Sequence, residues 1–284
     1  MTTLLALRTE LSDRLNANVW QPAEKDRAIN AAIRDAYPAW FTETFTDELV
    51  VCEDKLFYNL PTMTRLIGVW LERPGEYFTG VATSGTNASL TDSAASWTVN
   101  EYAGWHVVIY DGTGAGQYAS VTSNTATALT LTTSGYNWTV APDTTSYYML
   151  KNVVDQNADY TQILAYNVDK NRNPTKLWLK AQYTPGFYLK LHYITEPTTL
   201  TADTDDTDVP AEYIINCAAG LLWFWRMGKA PGNEVEPAQN LATMFKGLSD
   251  DFKTRHAMRW PTETMKMERE TRGSYVSSDY PFEV

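Results

Sequence analysis

The residues best suited to chemistry in this chain are few and scattered. There are three histidines, His106, His192 and His256, each in a different stretch and none with a second ligand-type residue at metal-binding spacing. His106 and His192 fall in strand-like segments. His256 falls at the end of a helical pattern, where the negative end of the helix dipole favours an imidazolium without any further role. Asp111-Gly-Thr-Gly-Ala-Gly116 has the glycine density of a phosphate-binding loop. Such a loop must lead from a strand into a helix N-terminus, whereas these glycines stand between two strand patterns with no Gly-Lys-Ser/Thr behind them. They read as a hairpin loop. Four carboxylates crowd Asp203-Thr-Asp205-Asp206-Thr-Asp208. A calcium loop of the EF-hand type needs a central glycine and a trailing glutamate, and both are missing. The run reads as a solvated loop that caps the following helix, with Asp208 beside its positive end. A cation-binding loop is the alternative. Glu234 and Glu236 stand at a helix start, where acids stabilise the dipole. With no Gly-x-Ser-x-Gly elbow or His-Glu-x-x-His pair, the sequence assigns no catalytic, cofactor-binding or metal-ligating residue and is not read as an enzyme.

The elements that must position these residues are legible in the hydrophobic periodicity. Leu4, Leu7, Leu11 and Leu15 recur at steps of three and four, the spacing of one helix face. A second helix opens near Pro22, carries Ile29, Ile33, Ala36 and Trp40, and ends at Tyr37-Pro38. Strands follow at 48–52 and 55–59, read as a hairpin about Glu53-Asp54, and at Arg65 to Glu72. From Pro74 to Leu150 there is no lysine or arginine, and Thr, Ser, Ala and Gly dominate. Short strands are expected there at 88–91, 105–111, 118–123, 128–131 and 147–150, separated by polar turns such as Ser84-Gly-Thr-Asn87. That spacing suggests a small barrel or sandwich with Trp97, Trp105 and Trp138 as core anchors. Two alternating segments, 176–182 and 188–194, flank Pro185-Gly186 as a second hairpin. A third helix is expected from Ala211 to Gly228, apolar nearly all round and therefore central. A fourth starts near Pro237 with Leu241, Met244, Phe245, Leu248 and Phe252.

The fold class expected is α+β. A helical host with β hairpins, residues 1–75 and 151–258, is interrupted by an all-β module at 76–150, and an aperiodic tail, 259–284, follows.

Composition narrows the function. The chain of 284 residues is 44% hydrophobic and 20% charged, so it can bury a core. A net charge of −11 opposes affinity for nucleic acid through counterion release, though an acidic wall lets DNA slide past. Cys52 and Cys217 lack a CxxC partner and indicate a reducing compartment, with Cys217 a small buried hydrophobe. Met1-Thr-Thr runs into Leu4 without the apolar stretch of a secretory signal. The most apolar run, Ile214 to Trp225, is too short to cross a bilayer.

Helix composition also carries a resemblance. The Leu4-Leu-Ala-Leu-Arg-Thr-Glu-Leu start, the Asp26-Arg-Ala-Ile-Asn-Ala-Ala-Ile-Arg-Asp-Ala-Tyr37 helix, and the Val209-Pro-Ala-Glu-Tyr-Ile-Ile-Asn-Cys-Ala-Ala219 start resemble the head-to-tail adaptor (connector) proteins of tailed bacteriophages. A final amphipathic helix followed by an irregular tail matches as well. Ser89-Leu-Thr-Asp-Ser-Ala-Ala-Ser-Trp97 and Gly112-Thr-Gly-Ala-Gly-Gln117 are similar to small β modules of phage structural proteins. The resemblance implies a virion protein of the neck, made in the host cytoplasm. It would form a ring of about twelve copies between portal and tail, lining the DNA channel without binding the genome specifically. No membrane and no cofactor are implied. The resemblance also implies that the tail reaches the portal, and Trp260, Met265, Met267, Tyr275, Tyr280 and Phe282 suit a segment that orders on a partner. The module, large beside a minimal adaptor, is expected to project outward from the ring. The alternative is a virion surface or tail component whose β insert binds a host glycan, with Tyr102, Tyr118 and Tyr136 stacking on sugars.

Overall fold

The opening leucines dictate the first helix. In the computed structural model, which describes residues 2–15, 20–73, 75–152, 160–229 and 231–258, α1 (Leu4–Leu15) buries Leu4, Leu7, Leu11 and Leu15. Pro22 supplies the first position of α2 (Pro22–Ala36), whose Ala28, Ile29, Ala32, Ile33 and Ala36 are buried. Glu24 turns back to accept from the Gln21 N–H at 3.1 Å, satisfying one of the donors a helix start leaves open. α3 (Ala211–Met227) packs against α1, α2 and α4 (Gly232–His256) and is the central helix. Its Ile214, Ile215, Ala218, Ala219 and Leu222 are fully buried. At Gly220 a side chain would press within 3.3 Å of the Lys246 nitrogen and 3.4 Å of the Ala242 oxygen, so the glycine sets how closely α3 and α4 approach. A short ladder joins β1 (Thr2–Thr3) to β16 (Asp206–Thr207). These elements form one compact unit, residues 2–44, 63–65 and 193–258.

A second unit, residues 45–62 and 66–192, is β. Its largest sheet has seven strands. These are β5 (Tyr77–Val81), β6 (Ser84–Thr86), β7 (Ser89–Thr91), β8 (His106–Asp111), β9 (Tyr118–Asn124), β10 (Ala128–Thr132) and β11 (Tyr147–Lys151). They lie in the order β5-β11-β8-β9-β10-β7-β6. Register shifts at Thr130/Leu131 and Tyr147/Tyr148 bend it. Leu90, Val107, Ile109, Ala119, Val121, Leu129 and Leu150 form its core with Trp138; Trp97 and Trp105 pack at the margin. The first and last strands pair, with Tyr77 opposite Lys151.

The remaining strands are β2 (Thr42–Val50), β3 (Phe57–Asn59), β4 (Arg65–Glu72), β12 (Tyr160–Ile163), β13 (Tyr166–Asp169), β14 (Lys176–Leu179) and β15 (Tyr188–Thr195). They make a four-stranded sheet, β12-β4-β15-β2, and a three-stranded one, β13-β14-β3.

The expectation of a helical adaptor host with a small β module is overturned: among the described residues sixteen strands in four sheets outweigh four helices. Turn chemistry explains part of the error. Pro185-Gly186 reverses the chain, yet β14 pairs with β13 and β3 while β15 lies between β4 and β2. Likewise β2 and β3 enter different sheets, so the hairpin about Glu53-Asp54 does not form. A turn fixes direction, whereas the strand partner is chosen by what buries Leu177, Leu179, Leu189 and Leu191. Burial on the second face of the large sheet explains the rest. Val107 and Ile109 face its core, but Val108 packs with Val50 and Tyr188 from the flanking chain, and Met149 is buried against Gly186. Smaller corrections follow the same logic. Ser84–Thr86 is a strand and not a turn, β5 was not anticipated, and α4 begins five residues before Pro237, at Gly232. Pro237 lies in its second turn, where the missing N–H frees a single carbonyl.

Candidate functional site

Each candidate for chemistry is engaged in holding the fold. His106 stands between two tyrosines, with Nδ1 3.1 Å from the Tyr188 hydroxyl and Nε2 3.5 Å from that of Tyr136. His192 is buried and stacked on Phe45 at 4.2 Å, while His256 lies 4.3 Å from the ring of Phe252. The glycine loop runs from β8 to β9, as its position between strand patterns requires, and Gly112, Gly114 and Gly116 all take positive φ. Thr113 donates to Asp143 at 2.8 Å and Ser146 donates to the Thr113 carbonyl at 2.7 Å. The hydroxyl and amide of Thr145 hold the Asp143 carboxyl below its usual range.

The acidic loop serves a different helix from the one expected. Asp205 and Asp203 carbonyls accept from the Leu4 and Leu5 N–H groups at 2.9 and 3.3 Å, so the loop closes the N-terminus of α1. The Asp205 carboxylate accepts from the Ala202 and Thr201 amides and the Thr201 hydroxyl, which lowers its pKa. Asp203 shares Arg8 with Asp26, at 3.1 and 2.8 Å. The hydrogen bond from Arg8 to Asp26 is the main reason the guanidinium pKa is raised. Helix α3 starts at Pro210 with no side-chain cap. Among the described residues no group of three His, Cys, Asp or Glu is placed to hold a metal ion, and no helix is long and apolar enough to cross a membrane.

Cys52 is buried and Cys217 half-buried, both as free thiols. Burial raises both, Cys217 to about 11, which keeps them protonated and poor nucleophiles at neutral pH. Glu234 lies in the first turn of α4 and pairs with Arg226 at 3.0 Å. Of the rings considered for stacking on sugars, Tyr102 is buried, and Tyr118 and Tyr136 are half-buried and meet edge to face at 5.7 Å. The six tail residues, Trp260, Met265, Met267, Tyr275, Tyr280 and Phe282, lie outside the described residues.

No protein-family model and no curated protein matches this chain.

What the helical unit offers instead is surface. Phe224 on α3 is 62% exposed, and Met244 and Leu248, one turn apart on α4, are 49% and 46% exposed. The periodicity had marked both α4 residues as apolar without telling whether their face is covered. Between the start of α2 and the α3–α4 junction lies an open cleft of about 560 Å³, walled by Trp20, Trp225 and the cations Arg27, Arg226 and Lys229. The Arg27 guanidinium stacks on Trp225 at 4.8 Å. Trp20 is 9% exposed and meets Trp223 edge-on at 6.1 Å. The sequence held one hint of this cleft, the Trp223-Phe-Trp-Arg226 run, too aromatic for one helix turn to bury on every side.

Proposed function

We propose that this chain is a structural protein that works as an assembled ring, a head-to-tail adaptor in the neck of a tailed bacteriophage. It would join the portal to the tail and line the channel through which DNA passes. The observation that carries this reading is the apolar surface left on the central and last helices. Phe224, Met244 and Leu248 stand in solvent on an isolated copy, and side chains of this size gain on the order of 2 kcal/mol each when a partner covers them. The stretches that carry the resemblance lie in α1, α2 and the start of α3. The net charge of −11 keeps a polyanion mobile along a wall that does not attract it. In this reading the segment from Trp260 to Phe282 meets the portal.

The test is the mass of the full chain, alone and mixed with a portal protein, by light scattering and native mass spectrometry. A ring of about twelve copies, or slowed hydrogen exchange after residue 258 once the portal is added, supports the adaptor. A strict monomer whose exchange is indifferent to the portal refutes it. Met244→Lys with Leu248→Lys is expected to abolish assembly while leaving the helical content intact.

A further inference from the structure

The β unit leaves a shelf of aromatic rings uncovered. Tyr77 and His106 stand in one row with Lys151, and Phe78 and Val107 stand in the next with Leu150. Phe78 therefore shares the face of the core residues Val107 and Leu150, yet it is 43% exposed. Its ring lies nearly parallel to that of Trp105, with centroids 5.9 Å apart and planes at 21°. Both rings meet Tyr102 edge-on, at 5.7 and 4.8 Å, and Trp97 backs Tyr102 at 6.0 Å. Two exposed carboxylates lie beside the rings. Glu76 immediately precedes β5, its carbonyl accepting from the Asn152 N–H at 3.0 Å. The Glu101 carboxylate accepts from the Thr98 N–H at 3.1 Å. Both lie near enough to Tyr102 that their charges, after burial, raise its hydroxyl pKa. Neither carboxylate forms an ion pair among the described residues.

The helical unit shows what such pieces hold when the chain supplies the partner. There Arg8 lies between two carboxylates, Asp26 and Asp203, at 2.8 and 3.1 Å, and Arg27 lies over Trp225 at 4.8 Å. The stretch from Pro74 to Leu150 has acids but no arginine or lysine, so it holds no cation of its own for the same role. Aromatic faces and carboxylates both present negative potential, and the complement is a cation. Two near-parallel rings favour a planar one. A guanidinium stacks flat and turns its N–H edge towards acceptors beside the rings, which a compact, strongly hydrated ammonium does not. In a protein, a guanidinium means arginine.

We infer that the Phe78–Trp105 shelf, with Glu76 and Glu101 beside it, binds an arginine side chain of a partner protein. The guanidinium lies over the rings and donates to the two carboxylates. The contact makes the β module an attachment surface for a basic partner. It uses none of the apolar helical surface assigned above to assembly, so it stands whether the chain works as a ring or alone.

The test uses the full chain carrying Ala103→trifluoromethylphenylalanine, a fluorine reporter in the exposed turn beside Tyr102. It is titrated to millimolar levels with the peptide acetyl-Gly-Gly-Arg-Gly-Gly-amide. The fluorine resonance is expected to move and saturate with this peptide. Its citrulline counterpart, spermidine and maltohexaose should each bind at least about tenfold more weakly. Glu76→Gln with Glu101→Gln should weaken the arginine peptide about tenfold, and Phe78→Ala at least as much. Glu10→Gln with Asp13→Asn makes the same change of net charge on α1 and should leave the affinity unchanged. A resonance that does not saturate overturns the inference. So does citrulline, spermidine or maltohexaose binding as tightly as arginine, or a loss from the α1 pair equal to that from Glu76 and Glu101.

Discussion

The two units of this chain handle charge in opposite ways. The helical unit spreads its ion pairs over the surface: Arg14 with Glu212 at 3.2 Å, Arg226 with Glu234 at 3.0 Å, Lys246 with Asp250 at 3.2 Å. The β unit has no cation at all from Pro74 to Leu150, and then buries the first one that follows. Lys151 is fully inaccessible, bonded to Glu72 and to the Gly186 carbonyl at 3.0 Å, its ammonium 3.3 Å from the Tyr188 ring centroid. Glu72 also accepts from the Tyr188 N–H at 2.8 Å. The lesson concerns fragility. Exposed pairs are screened and individually dispensable, whereas a buried pair ties four segments together and cannot lose one member safely.

The sharpest way to break the comparison is at that pair. Lys151→Ala strands the Glu72 charge in the interior and is expected to cost about 3–5 kcal/mol in urea unfolding. Lys151→Met combined with Glu72→Leu should recover most of the loss; a double variant as weak as the single one would mean the pair is irreplaceable. The helical unit's nearest equivalent is apolar. Leu222→Ala, at a fully buried site of α3, should cost about 2–5 kcal/mol in the same measurement.

Next come two tyrosines with the same bond in different settings. Tyr148 donates to Asp92 at 2.7 Å and Tyr213 to Asp35 at 2.6 Å. Asp92 is buried, while Asp35 is exposed and also lies 3.5 Å from Lys253. Tyr148→Phe therefore leaves a buried carboxylate short of a donor, at about 2 kcal/mol, and Tyr213→Phe less, about 1 kcal/mol. Equal losses would contradict the contrast. Both hydroxyls are held above the usual tyrosine value, chiefly by burial. A raised folded pKa contributes stability that is complete below about pH 10 and is lost as pH climbs towards the folded value. Either Tyr→Phe change should therefore cost less in urea unfolding at about pH 11 than at about pH 7, and an equal cost at both would contradict the linkage.

The smallest effect is expected at Arg14. Its hydrogen bond lowers the Glu212 pKa, so that contribution is present above about pH 4.3 and fades as pH falls through the depressed value. Arg14→Ala should flatten the acid limb of the stability profile and cost less than about 1 kcal/mol at neutral pH.

Helical periodicity in this sequence was self-sufficient. Leu4, Leu7, Leu11 and Leu15 define a face by spacing alone, and the leucines, Ile29 and Ile33 all end in the core. Some strands were legible for the same reason: alternation at β8, β9 and β10 needs no knowledge of neighbours, whereas β5 and β6 were not read as strands. The candidate site was not legible. Trp225 looked like one more core residue of α3, and nothing in its spacing to Arg27 or Trp20 brings the three together.

What the sequence determined by itself was the local grammar: where helices begin, which residues alternate, and where charge is withheld. What only the tertiary structure decided was partnership. It chose β15 for β4 instead of β14, set Val108 against Val50, put the acidic loop on α1, and laid Arg27 over the face of Trp225. Spacing along a chain fixes which side chains share a face. Which surface covers that face depends on contacts far apart in sequence, such as Arg14 with Glu212, 198 residues on, whose free energy is gained only once the chain between them has closed upon itself.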